Sequence, residues 1–231
     1  MYDTVLCIPY RNRQAHLDYF LLHSVPLLVK LLPNVHIVII EQSEDKKLFN
    51  RGKLLNIAFK EYEHKTMYYI THDIDINPTE ETISKHYSKT VGENEILGIY
   101  TSCYDTLGGI VKFQSLTIHT CNGFPNDYWG WGVEDKALQN RCVFHNMKIS
   151  KNILNNDPLR GTYFKILNDI DDRTRSKDFD KRTDLEYTDF QRLHHTAKKR
   201  MIQSSGINTL SYKILSTTEV DAHVTRLLVE L

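Results

Sequence analysis

The chain has 231 residues, 41% of them hydrophobic and 25% charged, with Lys+Arg and Asp+Glu balanced at 29 each. That is enough material for a full core, and the zero formal charge excludes a global field that would recruit nucleic acid or a membrane surface. No apolar run approaches the ~20 residues of a membrane span, and four cysteines without metal-type spacing read as reduced, mostly buried thiols.

In chain order, DTVLCIP predicts a buried strand that ends in the charged turn PYRNR. AHLDYFLLHSVPLLVKLL has helical apolar spacing, with Pro26 as a break or kink. VHIVIIEQ predicts a second buried strand, RGKLLNIAFKEY a short amphipathic helix and TMYYITHD a third strand. This alternation implies an α/β fold with a mainly parallel sheet and right-handed crossovers. Strands at EILGIYTS and GGIVKF follow, then a helix in VEDKALQNRCVFHN and terminal strands near TLSYKIL and AHVTRLLVEL. Residues 168–192 are poor in apolar residues and read as a mobile surface segment or a solvated helix. There is no internal repeat, so the expected organisation is one domain, residues 1–231. It is expected to divide into halves at residues 1–80 and 81–231.

Open α/β sheets bind ligands beyond the carboxyl ends of their strands. Three such ends carry Arg11 and Arg13, Arg51, and Asp73 with Asp75, which are therefore expected around one crevice. Arginines suit oxyanions through bidentate hydrogen bonds. In extended chain, Asp73 and Asp75 would point to the same side, and their hard oxygens suit Mg²⁺ or Mn²⁺. These parts serve either as plain ion pairs or as a site for a diphosphate bridged by a divalent cation. His72 reads as a ligand, a hydrogen-bond partner or a structural group.

Both tryptophans sit in NGFPNDYWGWGVED, where Gly130 and Gly132 give the turn freedom to close on a ligand. Trp131 offers a flat apolar face and an N–H donor. Glu134 and Asp135 follow in the first turn of a helix. There they serve either as stabilisers of the helix start or, ionised, as a general base toward a hydroxyl.

The segments PYRNRQAHL, FNRGKLLNIAF, HDID, GGIVKF and NGFPNDYWGWGVED…NR stand in the order and spacing of the β-1,4-galactosyltransferase family, which this chain resembles. The resemblance runs from about Ile8 to Arg141 and resumes at INTLSYKIL. Within the family, HD before the second aspartate is most similar to the branch that adds galactose to xylose in proteoglycan linkers. The resemblance implies a GT-A fold and an inverting, Mn²⁺-dependent transfer from a UDP-sugar to a saccharide or glycoprotein acceptor. By position, it implies that Pro9, Tyr10, Arg11, Arg13, Phe49 and Arg51 hold uridine diphosphate, and that Asp75, with Asp73 beside it, binds the metal. Trp131 would be the lid, Asp135 the base and Glu134 a sugar-positioning group, with Gly108 and Gly109 lining the donor sugar.

Three departures from the family pattern bear on these expectations. Ile166 and Asn168 stand where the family has metal-binding histidines, so Asn168 or Asp169 is expected to supply an oxygen ligand and to favour harder ions. Thr106 replaces an aromatic residue that limits the group at the donor's second carbon, so UDP-GalNAc and UDP-GlcNAc rival UDP-galactose unless Tyr104 fills the space. No anchor or stem is visible, so the expectation is a catalytic domain of the cytoplasm, or of a host cell's cytoplasm, from a microbial or viral source. The alternative is a non-catalytic UDP- or sugar-binding member of the family.

Overall fold

The structure is a computed structural model and describes residues 1–167, 175 and 177–231. The first strand, β1 (Tyr2–Tyr10), lies parallel to β2 (Val35–Gln42) on one side and to β3 (Thr66–Thr71) on the other. Both central strands are buried on both faces, as their unbroken apolar runs predict. Because side chains alternate along a strand, β1 and β2 feed two cores. Leu6, Ile8, Ile37 and Ile39 pack under α1 (Gln14–Tyr19) and α2 (Val25–Leu31); Val5, Cys7, Val38 and Ile40 pack under α3 (Arg51–Glu61). Each fully buried Leu or Ile contributes about 1.5–3 kcal/mol, so these two layers hold the sheet.

Beyond β3 come the short β4 (Ile76–Pro78), then β5 (Glu95–Thr101), β6 (Ile110–Gln114) and β7 (Lys148–Leu154). The three-residue β8 (Phe164–Ile166) pairs with β4. The chain closes with the hairpin of β9 (Lys213–Asp221) and β10 (Val224–Glu230). Among the described residues the main sheet has eight strands, in the order β7-β5-β6-β3-β1-β2-β10-β9. Only β6 and β9 run against the other six, so the sheet is mainly parallel.

Three local expectations are corrected. Pro26 does not break its helix: a π-helical turn, Phe20–Ser24, joins α1 to α2, and the proline sits in the first turn of α2. The wider turn gives the proline ring room that a regular α-helix denies it. The C-terminal strand pair starts at Lys213, later than TLSYKIL suggested. The described part of the polar stretch, 177–192, is helical from Phe179 to Arg192, as one of its two readings had it, but not fully solvated. Its first element is α5 (Phe179–Asp184), and it buries Arg182, Glu186 and Phe190. A further helix, α6 (His195–Ser204), was not foreseen. No helix among the described residues is long and apolar enough to cross a membrane.

The topology decides which loops meet. The carboxyl ends of the parallel strands β1, β2, β3 and β5 all lie on one edge of the sheet. Because β6 is antiparallel, its beginning lies on that edge too, with Val111 opposite Thr71. The loop from Ser102 to Gly109 therefore hangs over the same crevice as the turns after β1, β2 and β3.

Candidate active site

The centre of the site is Arg51, the first residue of α3, which the Asn50 side chain caps by accepting from the Lys53 N–H at 2.9 Å. Arg51 Nε donates to Asp73 Oδ1 at 2.8 Å, and Arg51 Nη1 lies 4.0 Å from Glu134 Oε1. One buried guanidinium thus stands between a carboxylate of the β3 end and one of the tryptophan turn. Among the described residues, Nη1 has no hydrogen-bond partner of its own. Burial opposes the charge of Arg51, but Asp73, Glu134 and Asp135 outweigh it and hold the proton more firmly than usual.

Asp73-Ile74-Asp75 is a turn between β3 and β4, not extended chain: the Ile76 N–H donates to the Asp73 carbonyl at 3.2 Å. The two carboxylates still crowd each other. Burial, and then the charge of Asp73, raise the proton affinity of Asp75, against the pull of Arg13 at 4.0 Å. Two hard carboxylates that repel each other suit a divalent cation, which would relieve that repulsion. Among the described residues no group of three or more His, Cys, Asp or Glu could hold a metal ion. The expected oxygen ligand Asn168, with Asp169, lies outside the described residues. His72 is fully buried and spends both nitrogens on structure, Nδ1 on the Asp73 carbonyl and Nε2 on the Tyr87 hydroxyl, each at 2.9 Å. Burial depresses it to about 4, so it stays neutral.

The nucleotide-side residues spread over a wider arc. Pro9 and Tyr10 end β1 inside the core, and the Tyr10 hydroxyl accepts from the Arg13 N–H at 3.3 Å. Arg11 turns away from the carboxylates: it donates to the Lys47 carbonyl at 2.8 Å and lies 5.5 Å from the Phe49 ring centre. The expected convergence of three arginines therefore holds for Arg13 and Arg51, while Arg11 and Phe49 form a separate wall. The Gly130 N–H donates to the Phe49 carbonyl at 2.8 Å, so this wall is tied to the tryptophan turn.

That turn has the backbone its glycines suggest, with φ of 79° at Gly130 and 116° at Gly132. Val133 continues it at φ 75°, a left-handed conformation that costs a β-branched residue roughly 1–2 kcal/mol. Nothing in the sequence marks that strain. It re-aims the chain so that Glu134 and Asp135 open the next helix, α4 (Glu134–Phe144), toward the crevice. Trp131 is not free in solvent: it stacks on Phe179 with ring centres 5.7 Å apart, and Arg175 lies over both rings. The other indole, Trp129, has the ammonium groups of Lys47 and Lys53 within 5.6 and 5.7 Å of its ring centre.

Burial and the neighbouring Asp135 push Glu134 up to about 7, so it gains and loses its proton around neutrality. Burial also raises Asp135, while Arg51 and the Lys136 N–H, which donates to Oδ1 at 2.9 Å, pull it back. Gly108 faces this carboxylate, and the Leu107 N–H donates to the Asp135 carbonyl at 3.1 Å. At Gly109, φ 78°, a Cβ would stand 2.7 Å from the Tyr100 carbonyl oxygen. A cavity of about 330 Å³ opens here, lined by Thr106, Trp131, Glu134 and Asp135 and closed by Phe179, Thr183 and Tyr187.

Thr106 is buried, with its hydroxyl 3.1 Å from that of Ser102. Tyr104 does not fill the space beside it, since its side chain is 79% exposed. Cys103 is the exposed thiol and lines the same cavity; Cys7, Cys121 and Cys142 are buried and free. Sequence reasoning missed Phe179, Thr183 and Tyr187. Their four-residue spacing was the available signal, hidden among charges.

The N-terminal region of glycosyl transferase group 7 matches residues 1–87, and the N-terminal domain of galactosyltransferase matches residues 93–156. Human β-1,4-galactosyltransferase 1 is 32% identical over 227 residues, covering 93% of this chain and 51% of that protein. Human β-1,4-galactosyltransferase 4 is 31% identical over 217 residues, covering 91% and 58%. The chain spans about half the length of the curated relatives it matches. Among solved structures, the catalytic domain of Drosophila β1,4-galactosyltransferase 7 in complex with xylobiose superposes over 100% of this chain and 94% of its own, with a TM-score of 0.75 at 24% identity. A mutant of that enzyme with manganese, UDP-Gal and xylobiose gives 0.73 at 23% over the same shares. The structural likeness establishes the GT-A fold; the two matched regions, with relatives 31–32% identical over more than 90% of this chain, show that this chain belongs to the β-1,4-galactosyltransferase family.

Proposed function

We propose that the chain is an inverting glycosyltransferase that moves a hexose, galactose first, from a UDP-sugar to a saccharide hydroxyl. The observation that carries the reading is the pair Asp135 and Glu134 in the lining of one cavity that Trp131 also lines, with Arg51 Nη1 4.0 Å from Glu134 Oε1. Asp135 accepts the proton of the acceptor hydroxyl. The acceptor oxygen then forms its bond to the anomeric carbon from the face opposite the diphosphate. The bond to the phosphate oxygen breaks, its electron pair leaves with UDP, and the anomeric centre inverts. Arg51 Nη1, buried and without a hydrogen-bond partner among the described residues, donates to a phosphate oxygen. Glu134, in its protonated form, donates a hydrogen bond to a sugar hydroxyl. A divalent cation, Mn²⁺ in first place, would be held by Asp75 and Asp73 and would neutralise charge on the departing diphosphate.

The relatives' names support galactose, and the neighbouring structures contain UDP-Gal and xylobiose. The space left beside Thr106 by the outward-turned Tyr104 supports including N-acetylated donors. The deciding experiment measures UDP release and product linkage from UDP-Gal, UDP-Glc, UDP-GalNAc and UDP-GlcNAc. Each donor is offered with Mn²⁺ against xylosides and other monosaccharide acceptors. Transfer with inversion from at least one donor is expected. UDP binding without release from any donor would replace this reading with that of a binding protein.

A further inference from the structure

The C-terminal hairpin carries a feature that the proposed activity does not use. Strand β9 is the last strand of the eight-stranded sheet, paired with β10 on one edge and, among the described residues, with nothing on the other. All nine of its residues are exposed, including Ile214, Leu215 and Val220 at 37%, 44% and 42%. A strand that buries no side chain gains little from the hydrophobic effect. Its bare edge offers a row of unpaired N–H and C=O groups to another strand.

The sequence of that edge, KILSTTEVD, is self-complementary when laid antiparallel to itself. With Thr217 opposite Thr217 of a second copy, Lys213 faces Asp221, Ile214 faces Val220 and Ser216 faces Thr218; Leu215 opposite Glu219 is the one unmatched pair. Opposite charges, apolar β-branched pairs and hydroxyl pairs are the cross-strand combinations that stabilise an antiparallel ladder. A parallel pairing in register would instead set Lys213 against Lys213 and Asp221 against Asp221. The register shifts against β10 leave Leu215 and Val220 as extra residues in β9, so the regular stretch lies between them, centred on Thr217 and Thr218.

We propose that two copies of this chain associate through β9, antiparallel about Thr217, joining their sheets across a two-fold axis. The pairing is isologous and closed, so it ends at a dimer. One strand pair is a small interface, and the dimer is expected to dissociate in the micromolar range.

Sedimentation of the full chain from about 1 to 500 µM tests this. A monomer–dimer equilibrium is expected. Lys213→Asp and Asp221→Lys should each raise the dimer dissociation constant about tenfold or more, and the double exchange should restore it. Thr217→Cys should form a covalent dimer under mild oxidation. Circular dichroism and UDP binding should be unchanged in every variant, since these side chains lie away from the site. A chain that stays monomeric throughout overturns the proposal. So does a dimer indifferent to all three substitutions, or one whose charge exchange is not restored.

Discussion

The carboxylate of Asp135 occupies the space that a side chain on Gly108 would need: a Cβ there would stand 2.4 Å from Oδ2. Two loops far apart in sequence thus meet at a contact that only glycine permits. Gly108→Ala should push Asp135 out of line, lowering kcat about a hundredfold while leaving the thermal midpoint nearly unchanged. Steady-state kinetics beside a melting curve check this; an alanine variant with full turnover would show that Asp135 need not sit there.

Asp135→Asn keeps the shape and removes the basicity. Transfer should fall by about 10²–10⁴-fold and UDP affinity should stay within about twofold, read by calorimetry at one Mn²⁺ concentration. Normal turnover would remove Asp135 from the role of base.

Arg51→Met should weaken UDP binding about tenfold or more, because the Nη1 donor is lost and the repulsion between Asp73 and Asp75 is no longer offset. A UDP titration with and without Mn²⁺ reads the effect. An unchanged affinity in both conditions would place the diphosphate elsewhere.

Glu134 makes stability depend on pH. Its ordinary value is 4.5 and the fold raises it to about 7. Between these values the folded chain keeps a proton that the unfolded chain has released, so stability falls as pH rises through that window. The loss is at most about 3 kcal/mol, roughly 6–12 °C in Tm. Glu134→Gln should flatten this slope between about pH 5 and 7.5. Parallel slopes for the variant and the parent would refute the assignment.

Phe179→Ala removes the ring on which Trp131 stacks. A stacked pair contributes about 0.5–1.5 kcal/mol, so the acceptor KM should rise roughly 2–10-fold while UDP affinity holds. A shift in tryptophan emission would report the loosened turn. An unchanged acceptor KM would argue that Trp131 is held in place by Arg175 and the backbone alone.

Much of this was written in local pattern. The runs of β1 and β2 are apolar on both faces because helices cover both, and such burial shows in a sequence without any knowledge of partners. Gly130 and Gly132 advertise a turn because few other residues take those angles. The specific block from Gly123 to Asp135 carried the family with it.

What the chain could not declare locally was distance. The antiparallel course of β6 brings Gly108 beside Asp135, and Arg51 reaches Asp73 and Glu134 only because parallel strands end on one edge. The left-handed Val133, the turn at Asp73–Asp75 and the polar helix that lends Phe179 and Tyr187 to the cavity were equally silent. Composition and periodicity report what each residue prefers on its own. Strain, salt-bridge geometry and raised proton affinity arise from neighbours remote along the chain, and those exist only once the sheet has formed.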